Sequence, residues 1–257
     1  MMNQNTRRNS GNDSGLSLLF DAGKRPDFAA IRAMASRSQG FAISQDHVVA
    51  SEGGPEDCLA IELLIDGFTF DLSGLGGGAG ARIPDCVYRF ALPEDIDSLG
   101  VEAVTLRAGP HLADGAHLQP VVQLMLRLSA HLCELDGVQA IAWHPGRTWI
   151  GPDYFRSITR NWIEGGIFPG LGLIGLEPSA DGALQSEGLA YFVGQELRIE
   201  PELAEDRGAA TRIGIRLIDY LSMHGALAHQ EAIAGPEGRP LRIEPSANGH
   251  FVRVWGA

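Results

Sequence analysis

The segment HLQPVVQLMLRLSAHLCEL, residues 117–135, sets the strongest limit on how this chain folds. Leu118, Val121, Val122, Met125, Leu128, Leu132 and Leu135 follow the i, i+3, i+4, i+7 spacing of an apolar helical face. Gln119, Gln123, Arg127 and His131 fall four apart, making one narrow polar stripe. A helix of this kind is buried on nearly all sides but one, so the rest of the chain must supply layers to cover it.

The flanking sequence predicts those layers. LSLLF at 16–20 reads as a short buried strand, and Pro26 opens an amphipathic helix ended by Gly40. FAISQDHVVAS reads as a strand, and CLAIELLIDGFTFDL as a hairpin turning at Asp66-Gly67. VEAVTLR, VQAIAWH, GLGLIGLEP, PLRIEP and HFVRVWG read as further strands, and GLAYFVGQELRIEP as a strand pair or one bulged strand. Helices are predicted from Pro152 to Ile163 and from Glu205 to His224, the second ended by Gly225. The expected class is α+β: mostly antiparallel mixed sheets with helices packed on one face, arranged as two similar α/β sandwich halves. Residues 1–15 are expected to be a disordered tail, 16–85 an N-terminal half ending in a glycine-rich loop, and 86–257 a C-terminal half that forms one compact unit with the first.

Composition narrows the function. A net charge of −12 disfavours phosphate backbones and anionic lipid, so neither nucleic acid nor membrane is expected as a partner. No apolar run approaches the roughly 20 residues that span a bilayer, and a cytoplasmic location is expected. Cys58, Cys86 and Cys133 are far apart and free of CxxC spacing. The histidines form no HExxH or H-x-H set, so no metal site and no cofactor is expected. The stretch SGLGGGAGARIPD at 73–85 lacks the Lys-Ser/Thr ending of a phosphate loop and is expected to be a mobile surface loop. There is no G-x-S-x-G elbow.

Two places retain chemical interest. IAWHPGRTWIGPDYF, residues 141–155, places His144 and Arg147 between Trp143 and Trp149, on what reads as a strand, a turn and a helix start. Tyr154, Ile158 and Trp162 would be the buried stripe of that helix. GQELRIEPE puts Glu196, Arg198 and Glu200 on one strand face, and Gly194 reads as a bulge that would re-aim Glu196. Catalytic candidates are therefore Glu196, His144 and Arg147, and binding candidates Trp143, Arg147, Glu196 and Arg198. Each group also has a plain structural reading, in which an arginine stacks on indoles and a strand face pairs its charges.

SEGLAYFVGQELRIEP, together with AIAWHPGRTWIGPDYF and GLGLIGL, resembles the C-terminal region of an uncharacterised bacterial family, domain of unknown function 4261. There a strand of alanine-valine-tryptophan type leads into a helix, and a T-x-G-L-x-x-F-G-x-x-E-L strand follows. The matching positions are Trp143, Gly188, Leu189, Phe192, Gly194, Glu196 and Leu197, within residues 138–225. Ser186 stands where the family has threonine. The resemblance implies a fold and an emphasis on Gly194 and Glu196, without a mechanism.

Two functions are carried forward. One is a non-enzymatic protein-binding or accessory module, immunity-like in form, whose acidic surface suits a basic protein partner. The other is a small-molecule enzyme of the hydrolase kind, with Glu196, His144 and Arg147 gathered in a pocket. Contact between Glu196 and either His144 or Arg147 separates them.

Overall fold

The computed structural model describes residues 14–38, 40–45 and 59–256. The expected tail lies outside these residues but for Ser14 and Gly15, as do Cys58 and the end of the strand expected from 41 to 51. In chain order the elements are β1 (Leu16–Asp21), α1 (Phe28–Arg37), β2 (Ala42–Gln45), β3 (Ala60–Ile65), β4 (Phe68–Ser73), β5 (Tyr88–Phe90), β6 (Val101–Ala108), α2 (Gln119–Leu132), β7 (Val138–Trp143), β8 (Thr148–Ile150) and α3 (Pro152–Ile163). They are followed by the single turn α4 (Gly170–Leu173), β9 (Gly175–Pro178), β10 (Leu184–Glu187), the single turn α5 (Ala190–Val193), β11 (Glu196–Ile199), α6 (Pro201–Ala204), α7 (Arg207–His224), β12 (Glu231–Ala234), β13 (Pro240–Pro245) and β14 (Phe251–Gly256).

The fold is α+β. One sheet runs β2-β3-β4-β6-β1-β7-β8-β5 and the other β12-β13-β14-β11-β10-β9. Each is antiparallel except at one place, β5 with β8 in the first and β11 with β14 in the second. Local sequence accounts for many of the joints. Asp66 and Gly67 both take positive φ, 48° and 83°, as a two-residue hairpin between right-twisted strands requires. Asp27 caps α1 by accepting the Ala30 N–H at 2.8 Å, so Pro26 lies before the cap and not in the first turn. Asp206 caps α7 in the same way, and Gly225 at φ 81° ends it.

The core is continuous between the sheets. Leu16, Leu18 and Phe20 of β1, Val122, Met125 and Leu126 of α2, and Leu197, Ile199, Val252 and Val254 of the second sheet belong to one apolar cluster. The long helix is buried as its pattern predicts, although Leu118 precedes its first turn and is half exposed. The polar stripe is anchored at two points, with Gln119 donating to the Ser222 carbonyl and Arg127 paired with Asp66.

The first sheet is covered on both faces, and this changes the role of the glycine-rich stretch. Leu19, Ala103, Ala140, Ala142 and Trp149 form a second apolar cluster on its back, overlaid by Ala81, Ile83, Cys86, Leu92 and Ile96. The start of that cover is tied down and is no free surface loop. Arg25 donates to the carbonyls of Gly74 at 2.6 Å, Leu75 at 3.0 Å and Gly78 at 2.9 Å, and its Nε bonds Glu102 at 3.1 Å. Glycines expose their carbonyls without side chains in the way, so one guanidinium collects those of Gly74 and Gly78 together with that of Leu75 between them. Strands from both sides of residue 85 share this sheet, and the change of sheet falls between β8 and β9.

Three local expectations need correction. Between Trp143 and α3 lies an additional strand, β8, whose three residues are too few to show a period in sequence. The buried line of α3 is Phe155, Thr159 and Trp162, because the helix is rotated so that Tyr154 and Ile158 sit at the border. The segment 188–195 is neither a strand pair nor a bulged strand: it makes the helical turn α5 between β10 and β11.

Candidate functional site

The motif around Glu196 folds into a closed loop of hydrogen bonds. Gly188, at φ 102°, turns the chain out of β10, and a Cβ there would lie 2.7 Å from the Gly146 Cα. One helical turn follows, and Gly194 at φ 79° ends it as a left-handed cap, so the glycine read as a bulge is a helix terminator. The chain then returns as β11, where Glu196 reaches back over the turn. One carboxylate oxygen accepts the N–H groups of Gly188 at 2.9 Å and Ala190 at 3.0 Å. The other accepts the Leu189 N–H at 3.2 Å and the Ser186 hydroxyl. Ser186 Oγ itself accepts the Leu197 N–H at 2.7 Å.

Burial raises the Glu196 carboxyl pKa, and the four hydrogen bonds pull against that rise. The carboxylate thus binds the N-terminal turn of α5, and its acceptor positions are filled from inside the protein. Beside it, Gln195 donates to the Leu227 carbonyl and accepts the Leu227 N–H, at 3.2 and 2.7 Å, which fixes the chain after α7.

The other stretch of the resemblance packs directly against this loop. Trp143 is 1 % exposed, edge-on to Tyr191 at 5.5 Å and stacked near Phe192 at 6.0 Å between ring centroids. Phe192 continues to Phe168 and Phe168 to Trp162, so aromatic contacts join β7, α5 and α3. Gly146 fits against both Gly188 and the Leu173 carbonyl, and a side chain at either glycine would collide with backbone. The spacing of glycine, aromatic and glutamate therefore describes a seam where the sheets meet. Trp143 is an element of that seam's core and has no surface for a ligand.

At the rim of the seam stands Arg147, in the left-handed region at φ 50°. Its guanidinium bonds Glu187 at 3.2 Å and lies 3.7 Å from Asp85. Tyr88 lies flat on Gly175, and burial first, then the carboxylates of Glu187 and Glu177, hold its hydroxyl strongly protonated. Glu187, Asp85 and Tyr88 form this rim with Arg147, and sequence reasoning did not find them. With Arg147 they come from three separate segments, and a glutamate at a strand end carries no local signal.

His144 points elsewhere. Its Nε2 is 2.9 Å from Ser17 Oγ, which is 2.7 Å from Thr105 Oγ1, on the back of the first sheet. Burial, aided by Arg107, lowers its pKa from 6.5 to about 3, so the ring is neutral. Ser17 is wholly buried and no carboxylate orients the ring through the contacts described, so this pair ties strands together and offers no accessible nucleophile.

Arg198 belongs to the solvent face of the second sheet. It pairs with Asp181 and bonds Glu200 at 3.1 Å, and Arg253 bonds the same Glu200 oxygen at 2.6 Å. Arg253 and Arg242 lie 4.5 and 5.5 Å from the Trp255 ring centroid, and Trp255 Nε1 donates to Glu244 at 3.0 Å. Leu197 and Ile199 face the core, as the alternation of β11 predicts. The structure therefore separates the nominated residues: Glu196 is held by backbone, His144 by Ser17, Arg147 by Glu187 and Asp85, and Arg198 by Glu200 and Asp181. Glu196 bonds neither His144 nor Arg147.

Among the described residues, no cluster of three or more His, Cys, Asp or Glu side chains could hold a metal ion, and no helix is long and apolar enough to cross a membrane. Comparison with protein-family models, with curated proteins and with solved structures finds no match to this chain.

Proposed function

We infer that the protein is a non-enzymatic protein-binding or accessory module of the cytoplasm, immunity-like in that it acts by occupying a partner. The observation that carries this reading is the saturation of Glu196. Its carboxylate accepts four internal hydrogen bonds and has no acceptor position left for a substrate proton. In weaker form, the Nε2 of His144 is occupied by Ser17, at 2.9 Å from its Oγ. A surface of net charge −12 favours a basic protein partner over nucleic acid or anionic lipid. Membership of domain of unknown function 4261 is part of the proposal, supported by the convergence of Trp143, Gly188, Phe192, Gly194 and Glu196 on one seam.

Native mass spectrometry of the tagged chain, drawn gently from its host's lysate, tests the reading. The expected result is a stoichiometric basic protein released by raised salt, as an electrostatically steered complex requires. A retained small molecule or metal in place of a protein partner would overturn it and reopen the enzymatic alternative.

A further inference from the structure

The hairpin between β13 and β14 turns through Ser246, Ala247, Asn248, Gly249 and His250, and Asn248 is the one asparagine of the sequence that precedes a glycine. Asn248 and Gly249 are exposed, and Gly249 stands at φ 72° with nothing within 4 Å of where a Cβ would lie. The turn is pinned at its ends. The Ser246 N–H donates to the Phe251 carbonyl at 2.8 Å, the Phe251 N–H to Ser246 Oγ at 3.0 Å, and the Gly249 N–H to the Ser246 carbonyl at 2.8 Å. Inside it, Asn248 Oδ1 accepts the Ser246 hydroxyl at 2.7 Å and the His250 N–H at 3.2 Å. A backbone N–H can donate only to the oxygen of a side-chain amide, so the orientation of Asn248 is fixed and its Nδ2 takes part in neither bond.

We propose that Asn248-Gly249 is a self-modification site, at which the Gly249 backbone nitrogen attacks the Asn248 side-chain amide and water completes its conversion to aspartate and isoaspartate. Hydroxide takes the Gly249 amide proton, and the nitrogen's electron pair bonds Asn248 Cγ while the carbonyl pair moves onto Oδ1. That pair returns as the Cγ–Nδ2 bond breaks, and Nδ2 leaves as ammonia with a proton from water. Water then opens the five-membered imide at either carbonyl, giving aspartate at 248 or a backbone that runs through its Cβ and Cγ. One amide and one water become one carboxylate and one ammonium, without oxidation or reduction. Gly249 has no side chain to crowd the attack, and nucleophile and carbonyl are already neighbours in the chain. The charge developing on Oδ1 meets two donors held in place, the Ser246 hydroxyl and the His250 N–H. The Gly249 N–H bond to Ser246 opposes loss of the proton. That is one neutral bond against two that strengthen as charge forms, and charge-assisted bonds are about twice as strong. The His250 carbonyl accepts the Glu196 N–H at 2.9 Å, so the longer isoaspartate backbone lies two residues from the contact that starts β11.

A time course of the full chain at mildly alkaline pH tests this, with isoaspartate and aspartate at 248 read by peptide mapping. The free peptide of residues 243–253 runs beside it and carries the same Asn-Gly without the folded turn. The folded chain is expected to convert faster than the peptide. Ser246→Ala is expected to slow the folded chain roughly tenfold, and Ser246→Thr, which keeps a hydroxyl, to restore the rate. A folded chain that converts more slowly than the peptide overturns the proposal, since the turn then protects Asn248. So does a Ser246→Ala chain, folded by circular dichroism, that converts as fast as the unmutated one.

Discussion

The carboxylates at the start of β11 and just past its end are held in opposite ways. At the seam, Glu196 is satisfied by three backbone N–H groups and a serine hydroxyl, with glycines packed against glycines around it. On the solvent face four residues later, Glu200 is only 3 % exposed but is held by two arginines that are themselves partly in water. The first arrangement uses fixed backbone donors and closes a turn, and the second uses flexible cations and knits neighbouring strands. One alternating strand thus carries both a structural clamp and a surface ion network, and the sequence pattern is the same for both.

The sharpest way to break the comparison is to remove each carboxylate in turn. Glu196→Ala leaves the Ser186 hydroxyl and three backbone N–H groups without their acceptor in a water-poor seam, and about 3–5 kcal/mol of stability is expected to be lost. Urea unfolding reads this directly, and a loss under about 1 kcal/mol would mean that water replaces the carboxylate. Glu200→Gln removes the charge that Arg198 and Arg253 share, at an expected cost of about 2 kcal/mol because both cations reach solvent. Raised salt should narrow the Glu200 difference and leave the Glu196 difference nearly unchanged.

Acid lability distinguishes the seam from the back of the first sheet. The folded-state pKa of His144 is depressed to about 3 from 6.5, so the unfolded chain binds its proton more readily. Stability that is full above pH 6.5 should therefore fall as pH drops toward 3, and His144→Gln should flatten that slope in a series of unfolding midpoints. Glu196 acts in the opposite sense, since a raised carboxyl pKa means that the folded state takes up the proton first and is favoured by acidification.

A pair of glycines separates conformation from contact. Gly188 and Gly194 both have positive φ, but a Cβ at Gly188 meets Gly146 backbone at 2.7 Å while at Gly194 it meets nothing within 4 Å. Gly194→Ala is expected to cost about 1 kcal/mol from φ alone, and Gly188→Ala about 1–2 kcal/mol more, as melting temperatures will show. The smallest effect is expected at Arg147→Gly, where about 0.5–1 kcal/mol of left-handed strain is relieved while two exposed ion pairs are lost, leaving a change near zero.

These contrasts show what could be read in the residues. Strands β1, β3, β4, β6 and β7, the helices α2, α3 and α7, and the Asp66-Gly67 turn follow from period and punctuation. β5, β8, β10 and β12 were missed because three- and four-residue strands show no period, and α5 was read as strand because a single helical turn shows none either. Arg147 and Glu196 were nominated together because both are charged residues near aromatics and glycine. Their partners are set by contacts 6 to 62 residues away in the chain, as the bonds from Glu196 to Ala190 and from Arg147 to Asp85 illustrate.

By itself the sequence determined the α+β class, the buried long helix, the alternation of β11 and an acidic surface, since these depend on local spacing and composition. Tertiary structure alone decided that the glycine-rich stretch is clasped by Arg25, that strands on both sides of residue 85 share a sheet, and that the Glu196 carboxylate clamps the turn α5. Those outcomes turn on which donors reach which acceptors, and hydrogen bonds of a few ångströms between distant segments leave no period in the chain.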